Sequence, residues 1–371
     1  MKDCLSYGII GAGNGGLAMA GYLAMKGFVV NLYNRTLQKI LPLKERPIIT
    51  LTGEKEGIGK LNIISDKIEE VIRDVGIIMV TIPAIGHYDL GKLMAPYLED
   101  GQIIVLNPGR TGGALELYTT LRKNGCDKDV VVAEAQTFVY ACRKISARSA
   151  HIYKEKNEVS LACIPSTKTE EVVKMLSPAY PQFIAAKDVI ETSLNNYGAI
   201  FHPAPTLLNS GHIERGAPFD YYIEGITPSI SRFLEKMDEE RMKIAKALDV
   251  KTCSAKDWLY ESYNAVGKNL YEAIQNNLGY KGLEAPKGLN IRYIYEDVPY
   301  SLVPMSSLGK QLNIETSAID SVIKLAELMT GKNFWKEGRT VERLGLDGLN
   351  SYEIHKFAQT GKISKSEGVV A

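Results

Sequence analysis

At 371 residues, the chain is too long for one ordinary hydrophobic core, so we expect two domains. Hydrophobic residues make up 45% of the chain and charged residues 23%, the balance of a globular protein in water, and no stretch has the length and apolarity of a membrane span. Lysine and arginine (44) nearly equal aspartate and glutamate (43), and no basic block occurs, so we expect neither nucleic acid nor a membrane as a partner.

The five cysteines and five histidines are scattered along the chain. They form no C-x-x-C or H-x-x-x-H pattern, so we predict no bound metal. An odd number of scattered cysteines indicates reduced thiols, and the N-terminus shows no signal-peptide pattern. We therefore expect a cytoplasmic protein, and the sequence leaves a homodimer open.

The chain opens on a predicted strand, turn, helix and second strand between Tyr7 and Thr36. The turn carries the spacing G-x-G-x-x-G at Gly11, Gly13 and Gly16. Gly11 would let the chain turn sharply after the strand, and Gly13 would let the backbone approach a pyrophosphate. Gly16 would let the helix pack closely on the strand. Amides at the helix N-terminus would bind the phosphates, with Asn14 among them. Without these flanks the spacing would indicate only a glycine-rich surface turn; with them it predicts a dinucleotide-binding site.

The second strand ends in Asn34-Arg35-Thr36. Sites specific for NAD usually carry a carboxylate here, which binds the ribose hydroxyls. A neutral side chain followed by a guanidinium suits a 2′-phosphate instead. We therefore expect NADP(H) to be preferred over NAD(H), with Asn34, Arg35 and Thr36 as cofactor-binding residues. The alternative is that Arg35 is a solvated loop residue and that the site accepts both cofactors.

Strand and helix patterns keep alternating through the first half of the chain. Apolar strand patterns occur at residues 76–81, 102–106, 129–133 and 158–164. This repetition predicts an α/β fold, a Rossmann-like doubly wound parallel sheet with right-handed crossovers. Ligands bind such sheets at the carboxyl ends of the strands. Pro83 and Asn107 follow two of these strands, so we add them to the cofactor-binding candidates.

Beyond about residue 187 the strand patterns stop and helical periodicity takes over. Thr227 and Ser254 have the character of helix N-caps. The sequence therefore predicts a dinucleotide-binding domain over residues 1–187 and a mostly helical substrate domain over 188–371.

Within the helical half, the patterns predict helices over residues 258–278 and 315–329. The stretch 279–304 between them is rich in glycine, proline and tyrosine. We expect it to be an irregular connection, and a loop of that length in a compact domain is usually functional or disordered.

Three side chains in the second half have the chemistry of an active site. His202 stands at a helix end before two prolines, and imidazole titrates in the range useful for proton transfer. Asp297 could orient that imidazole, and the fork of Arg292 matches a substrate carboxylate. Sequence alone does not show that these residues meet, and a lone histidine is more often structural.

Six motifs over nearly the whole chain carry a family resemblance: GAGNGG (11–16), NPGRTGG (107–113), EAQTFVYACR (134–143), NNYGAIFHPAPTLLN (195–209), YYIEGITP (221–228) and RYIYEDVPYSLVP (292–304). They resemble the opine dehydrogenases of the octopine/nopaline dehydrogenase family. The resemblance implies a Rossmann-like domain, then a helical substrate domain, and NAD(P)H-dependent reductive condensation of a 2-oxo acid with the amino group of an amino acid. The resemblance implies that His202 is the catalytic histidine and that Asp297 is the aspartate that pairs with it. It also implies that Arg292 binds a substrate carboxylate.

Two other functions stay open at this point. One is a two-domain NAD(P)-dependent dehydrogenase of the glycerol-3-phosphate or ketopantoate reductase type, which usually carries a catalytic lysine in the second domain. The other is a non-catalytic cofactor-sensing protein, which would need no acid or base. Asn34-Arg35-Thr36 also departs from many opine dehydrogenases, which puts their usual preference for NADH in question here.

Overall fold

The computed structural model describes residues 5–362, which fold into two compact units. Within that range, the first unit contains residues 5–109, 113–193 and 355–362, and the second contains 110–112 and 194–354. The units therefore interleave along the chain, whereas the sequence suggests one division after residue 187.

The strands of the described residues form two sheets. In chain order they are β1 Ser6–Ile10, β2 Val29–Tyr33, β3 Ile48–Gly53, β4 Gly57–Lys60, β5 Ile64–Ser65, β6 Ile77–Val80, β7 Ile103–Leu106, β8 Val131–Ala135, β9 Tyr140–Ser146, β10 Ser149–Glu155, β11 Val159–Ile164 and β12 Phe183–Ala185. All of them lie in the first unit.

The α-helices, in chain order, are α1 Asn14–Met25, α2 Leu41–Glu45, α3 Ile68–Ile72, α4 His87–Met94, α5 Gly113–Lys123, α6 Thr169–Leu176, α7 Val189–Leu194, α8 Gly198–Phe201, α9 Pro203–Leu208, α10 Ser210–Glu214, α11 Pro228–Ala247, α12 Ala255–Tyr263, α13 Leu270–Gln275, α14 Arg292–Tyr295, α15 Val303–Gln311, α16 Ser317–Thr330, α17 Phe334–Glu337, α18 Val341–Leu344 and α19 Ser351–Thr360. Helices α1 to α6 belong to the first unit and α8 to α18 to the second. None of the helices in residues 5–362 is both long and apolar enough to span a membrane.

The main sheet has eight strands in the order β12-β11-β8-β7-β6-β1-β2-β5. Neighbouring strands are parallel, except that β8 and β11 are antiparallel. Every residue of the central strands β6 and β7 is buried, as expected of a parallel sheet whose faces are both covered. The predicted Rossmann-like sheet is confirmed, and its order places the carboxyl ends of β1, β2, β6 and β7 along one edge.

A smaller sheet, in the order β4-β3-β10-β9, packs on α1. The sequence patterns did not indicate it, because exposed and buried residues mix along β9 and β10 and no continuous apolar run marks them. Two glycines permit the close approach: a Cβ on Gly21 would meet Ile49, and one on Gly59 would overlap the carbonyl oxygen of Gly21. This sheet brings β9 alongside the start of α1.

The second unit is helical in the part of the chain that the structure describes, as the sequence indicates. Thr227 and Ser254 cap α11 and α12 through their side-chain oxygens, as predicted. The predicted helix over 258–278 is wrong in extent: α12 stops at Asn264, which adopts a left-handed φ of 54°. The predicted irregular stretch also contains more helix than expected, because α14 and a π-helical turn at Val298–Leu302 lie within it.

Candidate active site

The glycine-rich turn between β1 and α1 has the shape that a dinucleotide requires. Gly11 has a φ of 109° and donates its amide to the carbonyl oxygen of Tyr33 at 2.8 Å. A Cβ on Gly16 would overlap the carbonyl oxygen of Gly11, so only glycine lets α1 pack this closely. A Cβ on Gly13, by contrast, would meet nothing within 4 Å. The turn is therefore open in front of Gly13.

The N-terminus of α1 is free to receive phosphate. Gly13 is its N-cap, no side chain caps it, and its first turn has no acidic residue. The backbone amides and the positive end of the helix dipole thus face the open side of the turn. These features fit the pyrophosphate of a dinucleotide.

The side chains at the end of β2 tie the turn together. Asn34 accepts a hydrogen bond from the amide of Ala12 at 3.2 Å and donates to the carbonyl oxygen of Thr36 at 2.9 Å. Arg35 and Thr36 are exposed. Asn14, also predicted to bind cofactor, accepts a hydrogen bond from the amide of Lys144 at 3.0 Å. Asn34 and Asn14 therefore shape the turn, whatever else they contact.

The other two cofactor candidates follow β6 and β7. Pro83 starts a short 3₁₀ helix at Ala84–Gly86. Asn107 is buried; its amide nitrogen donates to the carbonyl oxygen of Val105 at 2.8 Å, and its amide oxygen has no hydrogen-bond partner. A buried acceptor without a donor is costly, so its position at the ligand-binding edge of the sheet fits a donor on a bound cofactor.

In the second unit, His202 and Asp297 form the predicted pair. The Nδ1 atom of His202 lies 2.9 Å from Oδ2 of Asp297, whose side chain is 0% exposed. A carboxylate can only accept here, so Nδ1 carries the proton and Nε2 is the nitrogen that can exchange one. The His202 side chain is 20% exposed, whereas Asp297 behind it is closed off from solvent.

Aromatic and backbone contacts hold the His202 ring in place. The ring of Tyr293 stacks on it at 4.2 Å with an interplanar angle of 10°. The hydroxyls of Tyr221 and Thr206 donate to the backbone oxygen of His202 at 2.7 and 2.8 Å. Both the ring plane and the backbone are therefore fixed before substrate binds, as an acid or base catalyst requires.

The sequence did not single out Arg110, which completes this cluster. Its Nη1 lies 3.1 Å from Oδ1 of Asp297 and its Nη2 lies 3.6 Å from Oε2 of Glu296. Burial alone would lower the pKa of Arg110, but the charges of Asp297 and Glu296 outweigh it and raise that pKa. The guanidinium thus stays charged and balances two buried carboxylates.

The backbone conformation of Arg110 explains why the sequence did not indicate its role. It adopts a φ of 62°, within a turn that reads as a glycine-rich loop, NPGRTGG. Its Nε atom is buried without a hydrogen-bond partner. The sequence carried one signal, which was a bulky charged residue in a motif of small ones. A left-handed backbone at such a residue is strained and needs a compensating interaction.

Arg292 lies at the outer end of the same network. Its Nε atom forms a short contact with Oε2 of Glu296, and its side chain is 61% exposed. Glu296 therefore lies between an exposed guanidinium and the buried one of Arg110. The structure connects Arg292 to the cluster through Glu296 and does not place it against His202.

Polar side chains support the far side of Asp297. Ser301 donates to Oδ1 of Asp297 at 3.4 Å, and Asn196 donates to Ser301 at 2.9 Å and to the hydroxyl of Thr111 at 3.2 Å. Asn196 is another residue that the sequence did not single out. It links the turn that carries Arg110 to the element that carries Asp297.

Comparison with known proteins places this architecture in a family. The family model described as "NAD/NADP octopine/nopaline dehydrogenase, alpha-helical domain" matches residues 185–330. A second family model, "NAD binding domain of 6-phosphogluconate dehydrogenase", matches residues 6–109. An opine dehydrogenase of Arthrobacter sp. (strain 1C) is 39% identical over 97% of this chain and 100% of its own length.

Solved structures show the same fold. An octopine dehydrogenase in complex with NADH and agmatine superposes with a TM-score of 0.82 at 21% identity, over 98% of this chain and all of its own. A yersinopine dehydrogenase with NADP⁺ bound gives a TM-score of 0.73 at 15% identity, over 97% and 99% of the two chains. With the extended identity to the Arthrobacter enzyme, these findings confirm the resemblance seen in the motifs: the chain belongs to the opine dehydrogenase family.

Proposed function

We propose that this oxidoreductase uses His202 as the acid that completes the NADPH-dependent joining of a 2-oxo acid to the amino group of an amino acid. Family membership supports the reaction class, CH–NH oxidoreduction with a nicotinamide cofactor. The observation that carries the proposal is the buried pair of Asp297 and Arg110 behind an accessible imidazole. A protein that only sensed a cofactor would have no need of such a pair.

The proton transfers follow from the geometry of this cluster. When bound, the nicotinamide supplies the hydride that converts the imine carbon to an amine carbon. The imine nitrogen then needs one proton, which Nε2 of His202 donates. Asp297 accepts the Nδ1–H bond and stabilises the imidazolium in the correct orientation. In the oxidative direction neutral His202 takes the same proton back.

Arg110 keeps this dyad in its working charge state. Asp297 is buried, and a buried carboxylate without a cation beside it is costly. The guanidinium of Arg110 lies 3.1 Å from its Oδ1 and forms an ion pair with it. The imidazolium of His202 therefore forms next to a carboxylate that already carries its charge.

We also propose that Arg292 binds a substrate carboxylate. Its Nε atom pairs with Glu296, while its exposed position leaves the terminal nitrogens open to a ligand. Lysine at this position would keep the charge and lose the two-pronged geometry. Arg292→Lys should raise the KM for the 2-oxo acid more than the KM for NADPH, and an unchanged KM for both substrates would remove Arg292 from the site.

The glycine-rich turn and the end of β2 support the proposed cofactor. Gly11, Gly13, Asn14, Gly16, Pro83 and Asn107 would hold the dinucleotide, and Asn34, Arg35 and Thr36 would favour its 2′-phosphate. Arg35 is exposed next to a strand end that carries no carboxylate, which suits a phosphate ligand. The fold leaves the choice open, because structures of this fold hold NADH as well as NADP⁺.

Steady-state kinetics with both cofactors test this preference. Wild type should have the higher kcat/KM with NADPH, and Arg35→Ala should weaken NADPH binding about ten- to a hundredfold, as expected for loss of a charge-assisted hydrogen bond. Asn34→Asp should move the preference towards NADH. A wild-type enzyme with the higher kcat/KM for NADH would refute the NADPH preference and leave the reaction class intact.

A screen of 2-oxo acids with and without amino acids tests the reaction itself. NADPH oxidation should require both partners, and mass spectrometry should find the secondary amine that joins them. Oxidation with a 2-oxo acid alone would favour a ketopantoate reductase type of dehydrogenase. Cofactor binding without turnover over a broad panel would favour a sensor.

The setting of the enzyme is a further proposal. The four cysteines within the described residues are free, which fits a reducing compartment such as the cytoplasm. A homodimer stays a prediction, and light scattering of the purified protein would measure the mass of the assembly.

A further inference from the structure

A lysine from the smaller sheet reaches the glycine-rich turn. Lys144 lies on β9, and its backbone amide donates to the side chain of Asn14 at 3.0 Å. Its Nζ atom donates to the carbonyl oxygen of Ala12 at 3.3 Å. Two residues earlier on the strand, the thiol of Cys142 approaches the backbone oxygen of Asn14 at 3.6 Å. Strand β9 is thus fixed to the turn by contacts at two of its residues.

These contacts place the ammonium of Lys144 beside the end of β2. The amide of Ala12 donates to Asn34, the first residue after β2, while its carbonyl oxygen accepts from Lys144. Asn34 and Lys144 therefore both bind Ala12, one through its amide and the other through its carbonyl oxygen. In Rossmann-like folds, the end of this second strand is where the adenosine ribose is recognised.

Two carboxylates, Asp66 and Glu69, act on Tyr33 at the end of β2, but within the described chain neither forms an ion pair with the cations near it. Lys144 is half-buried, and no carboxylate within residues 5–362 forms an ion pair with Arg35, Lys39 or Lys144. Burial lowers the pKa of Lys144, and the positive charge of Lys39 lowers it further. Lys39 and Lys144 therefore lie close enough to repel each other. Cations that form no ion pair within the described part of the protein suit an anionic ligand of more than one charge.

We propose that Lys144 binds the 2′-phosphate of NADPH together with Arg35 and Lys39, and so contributes to cofactor selection from outside the strand–helix–strand unit. The inference rests on the proposed preference for NADPH. The phosphate dianion would form ion pairs with these three cations. Lys144 would approach it from β9, whereas Arg35 and Lys39 follow β2 in the chain.

Calorimetric binding of nucleotide fragments to the full-length protein tests this role without turnover. The probes are adenosine 2′,5′-bisphosphate and AMP, which differ only in whether the ribose carries a 2′-phosphate. Lys144→Gln should weaken binding of the bisphosphate about tenfold or more and leave the Kd for AMP nearly unchanged. Lys144→Arg should keep most of the affinity, because it keeps the charge.

The matched control is Lys60→Gln, which removes an exposed lysine from β4 at the opposite edge of the same sheet. It should change neither Kd. An equal loss for both probes in Lys144→Gln would place Lys144 at the pyrophosphate and overturn the proposal, as would no loss for either. If wild type binds the bisphosphate no better than AMP, the NADPH preference fails first. If wild type discriminates and Lys144→Gln still does, only the role of Lys144 fails.

Discussion

The candidate catalytic cluster in the second unit combines a partly exposed side chain with buried ones. His202 is partly exposed, whereas Asp297 is fully buried behind it. General acid–base catalysis contributes about 10²–10⁴-fold in rate, so His202→Ala should lower kcat by about that factor. Asp297→Asn should cost no more, and the double variant should be no worse than His202→Ala alone, because the two residues act as one unit.

Single-turnover kinetics measure the rate of the chemical step, and fluorescence titration measures the Kd for NADPH. The Kd for NADPH should stay near the wild-type value in all three variants, which separates catalysis from folding. Multiplied losses in the double variant would mean independent roles for His202 and Asp297. Retention of most activity in His202→Ala would assign the histidine a structural role only.

Arg110 permits a sharper test, because its charge neutralises two carboxylates. Removing one partner of a buried ion pair typically costs about 3–5 kcal/mol, so Arg110→Met should lower the free energy of unfolding by that amount. Adding Glu296→Gln to this variant should recover part of the loss, since one unpaired negative charge disappears. Guanidinium titrations measure the free energy of unfolding of each variant.

Arg292→Met is the matched control for this prediction, since Arg292 pairs with the same Glu296. Its side chain is 61% exposed, so its removal should cost less than about 1 kcal/mol. Equal destabilisation by the two substitutions would contradict the view that burial decides the difference.

Sequence reasoning located part of this cluster and missed the rest for a physical reason. His202 and Asp297 stand out because imidazole and carboxylate have obvious roles in proton transfer. Arg110 does not, because its importance comes from a bent backbone that turns its side chain towards residues almost two hundred positions away. Asn196 is missed for the same reason, since its hydrogen bonds to Thr111 and Ser301 are long-range.

Two glycines in the turn between β1 and α1 are needed for different reasons. Gly16 is needed for packing, because its Cβ would overlap the backbone of Gly11, whereas Gly13 borders open space. Gly16→Ala should therefore lower the Tm of the protein without cofactor. Gly13→Ala should leave that Tm nearly unchanged and weaken NADPH binding, because its methyl group would occupy the space in front of the helix N-terminus.

Thermal melts and equilibrium binding of the two variants check this pair. The φ of −84° at Gly13 is open to alanine, so backbone strain does not confuse the comparison. A fall in Tm for Gly13→Ala as large as that for Gly16→Ala would show that both glycines serve packing. Unchanged NADPH affinity in Gly13→Ala would place the cofactor away from the turn.

Among the elements, those with continuous apolar runs could be predicted and those with mixed burial could not. Strands β6 and β7 are wholly buried, so their sequences identify them directly. Strands β9 and β10 mix exposed and buried residues, and the strand that joins them to the sheet, β3, lies far away in the chain. The break after α12 was missed because Asn264, unlike glycine, carries only a weak signal for left-handed backbone.

At the scale of the whole molecule, long-range contacts fix which residues belong to each unit. Thr111 joins the second unit through hydrogen bonds with Tyr300 and Arg339. His355 joins the first through Asp188, 167 residues earlier. Periodicity describes only local structure, so a sequence pattern suggests one division where the chain makes several.

The pair of Asp188 and His355 should make stability depend on pH. Burial alone would raise the pKa of Asp188, but its hydrogen bond to His355, the charge of that histidine and the amides of Glu191 and Ile190 outweigh burial and lower that pKa. A carboxylate whose pKa is lower in the folded state stabilises the fold above its unfolded pKa of about 3.9. That stabilisation is lost as the pH falls through the folded-state pKa.

Asp188→Asn should therefore lower the free energy of unfolding at pH 7 by about 1.5–3 kcal/mol, the usual worth of hydrogen bonds to a charged group. The difference from wild type should shrink below about pH 4, as Asp188 becomes protonated in the wild-type protein. Guanidinium titrations at a series of pH values measure it, with the exposed Asp127→Asn as a control that should show little difference at any pH. A difference between wild type and Asp188→Asn that grows as the pH falls below about 4 would mean that the protonated form of Asp188 is the stabilising one.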